Sequence, residues 1–192
     1  PVSHDDNLFL AEVLKGAGVK TSFAVPFKYP VNAHFDQGFE DQTVQPASRY
    51  KKEINADRIV DGAIRYLTDY QKLGQRFFLW VHFYEAHHPY VEHEGLERGS
   101  SPRGRYQSEI AWIDTQIGRL IESIHGLGLD GTTAIILTGD HGEEFREHGG
   151  QFHGDLHIED LWVPLIVLVP GDAPRYIDTP VSLLDIAPTV TE

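Results

Sequence analysis

Apolar positions along this chain follow two alternating rhythms, one of three to four residues and one of unbroken short runs. Leu10, Val13, Leu14 and Ala17 carry the first rhythm and predict a helix that Asn7 would cap and Gly16 and Gly18 would end. Thr21 to Val25 then reads as a short strand, and residues 26–50, which keep neither rhythm, read as a long loop. Ile54, Ile59, Val60, Ala63, Ile64 and Leu67 mark a second helix, followed by a largely apolar strand from Phe77 to Tyr84. Residues 92–105, rich in glycine, serine and charge, read as an exposed loop. Ile110, Ile113, Ile117, Leu120, Ile121 and Ile124 define a third helix that ends near Gly126 and Gly128. Thr132 to Leu137 has the composition of a buried strand, and Val163 to Val169 is a further apolar run closed by Pro170 and Gly171. Leu183 to Ala187 opens a last helix that Pro188 interrupts or starts.

Helices thus alternate with apolar strands. That order predicts an α/β three-layer sandwich, a mainly parallel sheet with helices on both faces. No repeat or linker divides the chain, so its 192 residues are expected to form one domain.

Composition narrows the function. A formal charge of −13, from 29 acidic and 16 basic residues, disfavours nucleic acid as a partner because its phosphates would be repelled. An anionic small-molecule substrate would need local positive charge from a metal, arginine or histidine, and the chain carries 11 histidines. No apolar run is long enough to span a membrane. The absence of cysteine excludes disulfides within these residues and leaves the compartment open; the absence of methionine suggests a fragment.

Three segments carry chemistry. In Thr138-Gly-Asp-His-Gly-Glu-Glu-Phe-Arg-Glu-His-Gly149, Asp140 and His141 stand at the carboxyl end of an apolar strand, and Gly142 permits an abrupt turn. Ligands of open α/β sheets bind beyond such ends, and an adjacent oxygen and nitrogen donor suit a divalent cation. The plainer alternative is a turn-capping Asp beside an exposed His. In Phe77-Phe-Leu-Trp-Val-His-Phe-Tyr-Glu-Ala-His-His-Pro-Tyr90, His87 follows a second apolar strand, with His88 beside it, whereas His82 reads as a hydrogen-bonded core histidine. In Gln151-Phe-His-Gly-Asp-Leu-His157, His153 is the candidate. His157 lies four residues on, the spacing of a helical metal pair, but is given no catalytic role. Glu143, Glu144 and Glu147 read as solvated charge that could also orient the loop.

Together these segments resemble the sulfatase family of the alkaline phosphatase superfamily. Asp140-His141 matches its second metal motif, His87 its His-x-Pro, and His153 with Val163-Pro-Leu-Ile166 its His-Gly and Val-Pro-Leu-Ile pattern. The resemblance runs from about Leu8 to Pro188. It implies an alkaline-phosphatase-like fold and hydrolysis of small-molecule or glycan sulfate monoesters. Asp140 and His141 would hold one divalent metal, calcium first, with manganese or zinc as alternatives. His87 would assist proton transfer to the leaving oxygen, and His153 would stabilise the sulfate oxygens.

The family's nucleophile, a cysteine or serine in Cys/Ser-x-Pro-x-Arg oxidised to formylglycine, has no counterpart. Neither Ser100-Ser-Pro-Arg103 nor Pro46-Ala-Ser-Arg49 matches in spacing or position, and Val25-Pro-Phe-Lys28 replaces a Gly-Lys-x-His segment. His4-Asp5-Asp6 precedes a helix and reads as a surface turn, not as the amino-terminal acidic metal pair. The expectation is a fragment of a longer catalytic domain, nearly inactive alone, with nucleophile and first strand upstream of residue 1. Its sheet edge would be open to self-association. Extracytoplasmic placement is common among relatives. Phosphodiesterases, phosphonate hydrolases and phosphoethanolamine transferases share the Asp-His pair and remain alternatives, as does a non-catalytic scaffold.

Overall fold

The computed structural model describes residues 7–26, 35–44 and 56–192. His4, Asp5, Asp6, Lys28, the Pro46–Arg49 segment and Ile54 lie outside the described residues.

Strand β1 (Lys20–Val25) is the centre of the first sheet. It pairs in parallel with β2 (Asp41–Val44) on one edge and β3 (Phe77–Val81) on the other, with Phe23 opposite Trp80 and Ala24 opposite Val81. Residues 21–25 are all buried, which a parallel strand covered on both faces requires. The alternation of side chains sorts them. Ser22 and Ala24 meet helix α2 (Ala56–Leu73), where Ala24 packs with Ile59 and Ala63, and the Ser22 and Tyr70 hydroxyls hydrogen-bond. Phe23 faces the other way, edge-on to Phe39 at 5.1 Å and to Trp80 at 6.3 Å.

The turn at residues 35–40 covers that second face. Thr21 Oγ1 donates to Gly38 O at 2.7 Å, and Gln37 Nε2 donates to Glu12 Oε2 of helix α1 (Leu10–Gly16) at 2.9 Å. Gly38 is at φ 87°, and a Cβ there would lie 2.5 Å from Glu12 N, so only glycine allows this approach. Two sequence expectations change here. Asp41–Val44 forms a strand inside the expected loop, because pairing with β1 supplies what four polar-leaning residues cannot signal. Helix α1 is capped at Phe9, whose N–H donates to Glu12 Oε2 at 2.9 Å, and not at Asn7.

Helix α2 buries Ala56, Ile59, Val60, Ala63, Leu67 and Tyr70, one stripe at helical spacing. Helix α3 (Pro102–Gly126) lies against it: Leu120 joins the same core, and Arg119 Nη2 meets Asp61 Oδ1 at 2.7 Å. The expected loop at 92–105 therefore ends early. Ser101 accepts from Gly104 N at 3.0 Å and Pro102 sits in the first turn, so residues 102–105 are helix.

A second sheet pairs β4 (Ile135–Thr138) with β7 (Leu165–Leu168), and this pair is antiparallel. Between them lie the hairpin β5 (Glu144–Phe145) and β6 (Gln151–Phe152) and the single-turn helix α4 (Ile158–Leu161). A 3₁₀ turn (Leu183–Asp185) leads into α5 (Ile186–Thr191), with Pro188 in its first turn. Strand β4 is half-buried and not buried as its composition suggested, and Ile166, Val167 and Leu168 of β7 are exposed. Among the described residues β3 pairs only with β1, and β4 only with β7.

Among the described residues Phe23 is the largest side chain fully out of solvent. Phe23→Ala should lower the unfolding free energy by about 3–5 kcal/mol, measured by chemical denaturation.

Candidate active site

Strand β3 ends at Val81, three residues short of the expected end, and the chain leaves the sheet at His82, whose N–H donates to Ala24 O at 3.0 Å. Burial lowers the His82 pKa, and nearby Asp140 partly opposes the shift. The following turn is anchored by Glu85, a buried carboxylate that accepts from Ala56 N of α2 and from Tyr84 N at 3.0 Å. His87 N donates to Tyr84 O at 3.0 Å, and the His87 ring stacks on Tyr84 at 4.4 Å. His87 Nδ1 is 2.6 Å from His88 O. His88 turns elsewhere, to Phe152 at 4.4 Å and Tyr90 at 5.5 Å.

Asp140 and His141 follow β4 directly. Asp140 Oδ1 accepts the His141 backbone N–H at 3.1 Å, and His141 Nδ1 is 2.8 Å from Gly142 O. A carbonyl only accepts, so His141 carries its proton on Nδ1 and leaves Nε2 with a lone pair that a cation could take. That atom stands 3.9 Å from Asp140 Oδ2, within the reach of two ligands bound at ~2.0–2.6 Å to one ion. Both side chains are open to solvent, Asp140 at 74% and His141 at 41%. The pair fits a divalent cation as part of a shell; further ligands are needed to complete it.

The hairpin β5–β6 returns His153 to this point. Its ring lies 3.9 Å from that of His141 and 5.7 Å from that of His87. All four residues singled out from the sequence therefore meet at the carboxyl ends of β3 and β4. Phe152, just before His153, has φ 74°, a left-handed conformation that a bulky residue adopts only when its surroundings impose it. Gly142 holds the opposite side: its N–H donates to Asp160 O at 2.7 Å, and a Cβ there would lie 1.9 Å from Glu159 O.

Two glutamates overturn their surface reading. The Glu143 side chain is 3% exposed; Oε1 is 3.1 Å from His153 Nδ1, and Oε2 accepts from Tyr90 Oη at 2.5 Å. Burial first, and this carboxylate second, push the Tyr90 pKa far up. Glu144 is also buried, and its Oε1 accepts from His148 N at 2.9 Å and Gly150 N at 3.1 Å. A pair of consecutive acids in a charged loop carries no burial signal; only its place after the turn glycine sets it apart.

His153 and His157 do not form a helical pair, because α4 begins after His157. His157 instead stacks on His148 at 3.9 Å, and His148 Nε2 lies 3.1 Å from Glu159 Oε2. Hydrogen bonding to its own backbone N–H, then to His148, lowers the Glu159 pKa. Glu144, Asp155 and His157 place ligand atoms within 4.8 Å of one another, a grouping the sequence reading did not draw. Below both clusters, Tyr90, Tyr106 and Phe145 pack at 5.2–5.7 Å, and Arg103 lies over Phe145 while pairing with Glu147. These contacts bind α3 to the hairpin.

Solved structures with this architecture include sulfatases and other enzymes, a lipoteichoic acid synthase among them. The sulfatase family model matches residues 2–192. Arylsulfatase K of Xenopus laevis is 33% identical over 91 residues, 47% of this chain and 17% of that protein. A choline-sulfatase of Rhizobium meliloti is 32% identical over 102 residues, 53% of this chain and 19% of the relative. A solved structure from work on glycosaminoglycan metabolism by Bacteroides thetaiotaomicron superposes with a TM-score of 0.78 at 19% identity, covering 98% of this chain and 53% of the other. The chain thus spans a minor part of the length of the curated relatives and about half of the structural one. With the family model matched across almost all of its residues, the chain belongs to the sulfatase family.

Proposed function

We propose that this chain is the part of a sulfatase catalytic domain that receives the sulfate group, holds a divalent cation and protonates the leaving oxygen. The observation that carries this reading is the meeting of Asp140, His141, His87 and His153 at the ends of two strands, the rings of His141 and His153 being 3.9 Å apart. A chain of net charge −13 needs local positive character to accept an anionic ester, and three imidazoles beside a cation would provide it. Asp140 and His141 hold the cation, calcium first, with manganese or zinc as alternatives. Once bound, it supplies Lewis-acid polarisation of the sulfate oxygens.

The attacking group is expected upstream of residue 1, as a formylglycine hydrate. When its oxygen bonds to sulfur, the bond from sulfur to the ester oxygen breaks, and that oxygen needs a proton. His87 donates it from Nε2 when both its nitrogens are protonated, and His153 in the same form hydrogen-bonds a non-bridging sulfate oxygen. Among the described residues β3 and β4 each have one unpaired edge, which supports a further strand between them with carboxylates at its end to complete the cation's shell. The substrate is proposed as a small-molecule or glycan sulfate ester, met in an extracytoplasmic setting. No described helix is long and apolar enough to cross a membrane.

The test uses the intact protein. Calcium, manganese and zinc titrations by calorimetry should show one site, and an aryl sulfate should be turned over in preference to the aryl phosphate. Asp140→Ala should weaken the cation by at least about 100-fold, beyond the 10–100-fold typical of outer-shell partners, and remove turnover. Unchanged cation binding in that variant, or preferred cleavage of the phosphate, refutes the reading.

The turn itself gives a second check. Gly142→Ala drives a methyl group into Glu159 O and disrupts the Gly142 N–H bond to Asp160 O. It should cost about 1–3 kcal/mol of stability, read by thermal denaturation, and weaken the cation alongside.

A further inference from the structure

The three imidazoles share a feature that the reaction alone does not demand. Each turns Nδ1 to a protein oxygen: His87 to His88 O at 2.6 Å, His141 to Gly142 O at 2.8 Å, and His153 to Glu143 Oε1 at 3.1 Å. Carbonyl and carboxylate oxygens only accept, so each ring carries its proton on Nδ1 and leaves Nε2 free. A histidine side chain free in water prefers the opposite arrangement, with the proton on Nε2. Two of the three acceptors belong to the backbone and go wherever the turn goes. The third is a side chain, buried and held from behind by Tyr90 Oη at 2.5 Å.

We propose that Glu143 is a positioning residue, whose buried carboxylate takes the Nδ1–H of His153 and so fixes the ring with Nε2 toward the sulfate group. The proposal rests on the sulfatase reading above for the identity of that group, and on geometry for the rest. With Oε1 taking the Nδ1 proton and Oε2 taking the Tyr90 hydroxyl, both oxygens of Glu143 are engaged. The carboxylate therefore has no freedom to swing away from the ring. His153 has little freedom itself: it packs against His141 at 3.9 Å and follows Phe152 in a left-handed conformation. With Nδ1–H held by Glu143, Nε2 is the nitrogen that faces the substrate, and it donates to a sulfate oxygen when it too carries a proton. Without Glu143 nothing holds Nδ1, and the ring is free to turn Nε2 away from the ester. A carboxylate that fixes the distal nitrogen of a working histidine is a general device.

Nitrogen NMR of histidine-labelled protein at pH 8, with His153 assigned through His153→Gln, reads the tautomer directly. Wild type should show His153 protonated on Nδ1, and Glu143→Ala should move it toward Nε2–H. Aryl sulfate kcat/KM of the intact enzyme should fall about 10- to 100-fold. Glu143→Gln, whose amide oxygen still accepts from Nδ1 while its NH₂ donates to the Tyr90 oxygen, should recover most of both. If Glu143→Ala is too unstable, Glu143→Met keeps the bulk and carries the same expectation. A His153 spectrum unchanged by Ala or Met, or a Gln variant as impaired as Ala, overturns the proposal. The spectrum reads the tautomer whether or not sulfate esters are cleaved. Missing turnover in wild type thus counts against the substrate, and an unmoved tautomer against Glu143.

Discussion

A carboxylate removed from water must be met by donors, and two adjacent ones must be met separately. Glu143 and Glu144 satisfy this condition in opposite directions. Glu143 reaches the hydroxyl of Tyr90 and the ring of His153, while Glu144 takes the backbone N–H groups of His148 and Gly150. Between them they tie the turn after β4, the loop after β3 and both ends of the hairpin. The loop that carries His153 has almost no apolar core of its own. Its shape comes from these buried charges and from the ring packing of Tyr90, Tyr106 and Phe145 beneath. Partial satisfaction would be worse than none, because an unpaired buried oxygen costs more than a made bond returns.

The elements legible in the sequence are those whose order is local. The stripe Ile59, Val60, Ala63 and Leu67 marks α2, because periodicity and burial agree there, and the unbroken apolar run Phe77 to Val81 marks β3, although its residues are only half-buried. Asp41–Val44 could not be seen: four residues with no alternation become a strand only when β1 lies beside them. The end of β3 was overrun for a related reason. His82, Phe83 and Tyr84 continue the aromatic run, yet the chain must leave the sheet to bring Glu85 against α2 and His87 to the site.

The site divides the same way. Asp140, His141 and His87 are legible because they follow apolar runs and sit next to turn residues, and His153 because its segment resembles the family's His-Gly pattern. Glu143 was hidden because its role depends on Tyr90, 53 residues earlier in the chain. No window of sequence holds both partners. The separation of His153 from His157 was hidden too. Four-residue spacing suggests one face of a helix, but α4 starts only after His157, and the two rings join different neighbours.

The half-exposed second sheet follows from topology and not from weak composition. Ile135, Ile136 and Leu137 are more apolar than Thr21 to Val25 of β1, which lie buried between neighbours on both edges, yet β4 has a neighbour on one edge only among the described residues. A strand gains its burial from what lies on both sides and above and below it, so the same sequence is buried in one setting and half-bare in another. Among the described residues β3 and β4 each have one unpaired edge, and the side chains that follow them touch through His87, His153 and His141. The geometry of the rim thus rests on side-chain contacts, that of Glu143 with His153 among them, and not on backbone pairing between the two sheets.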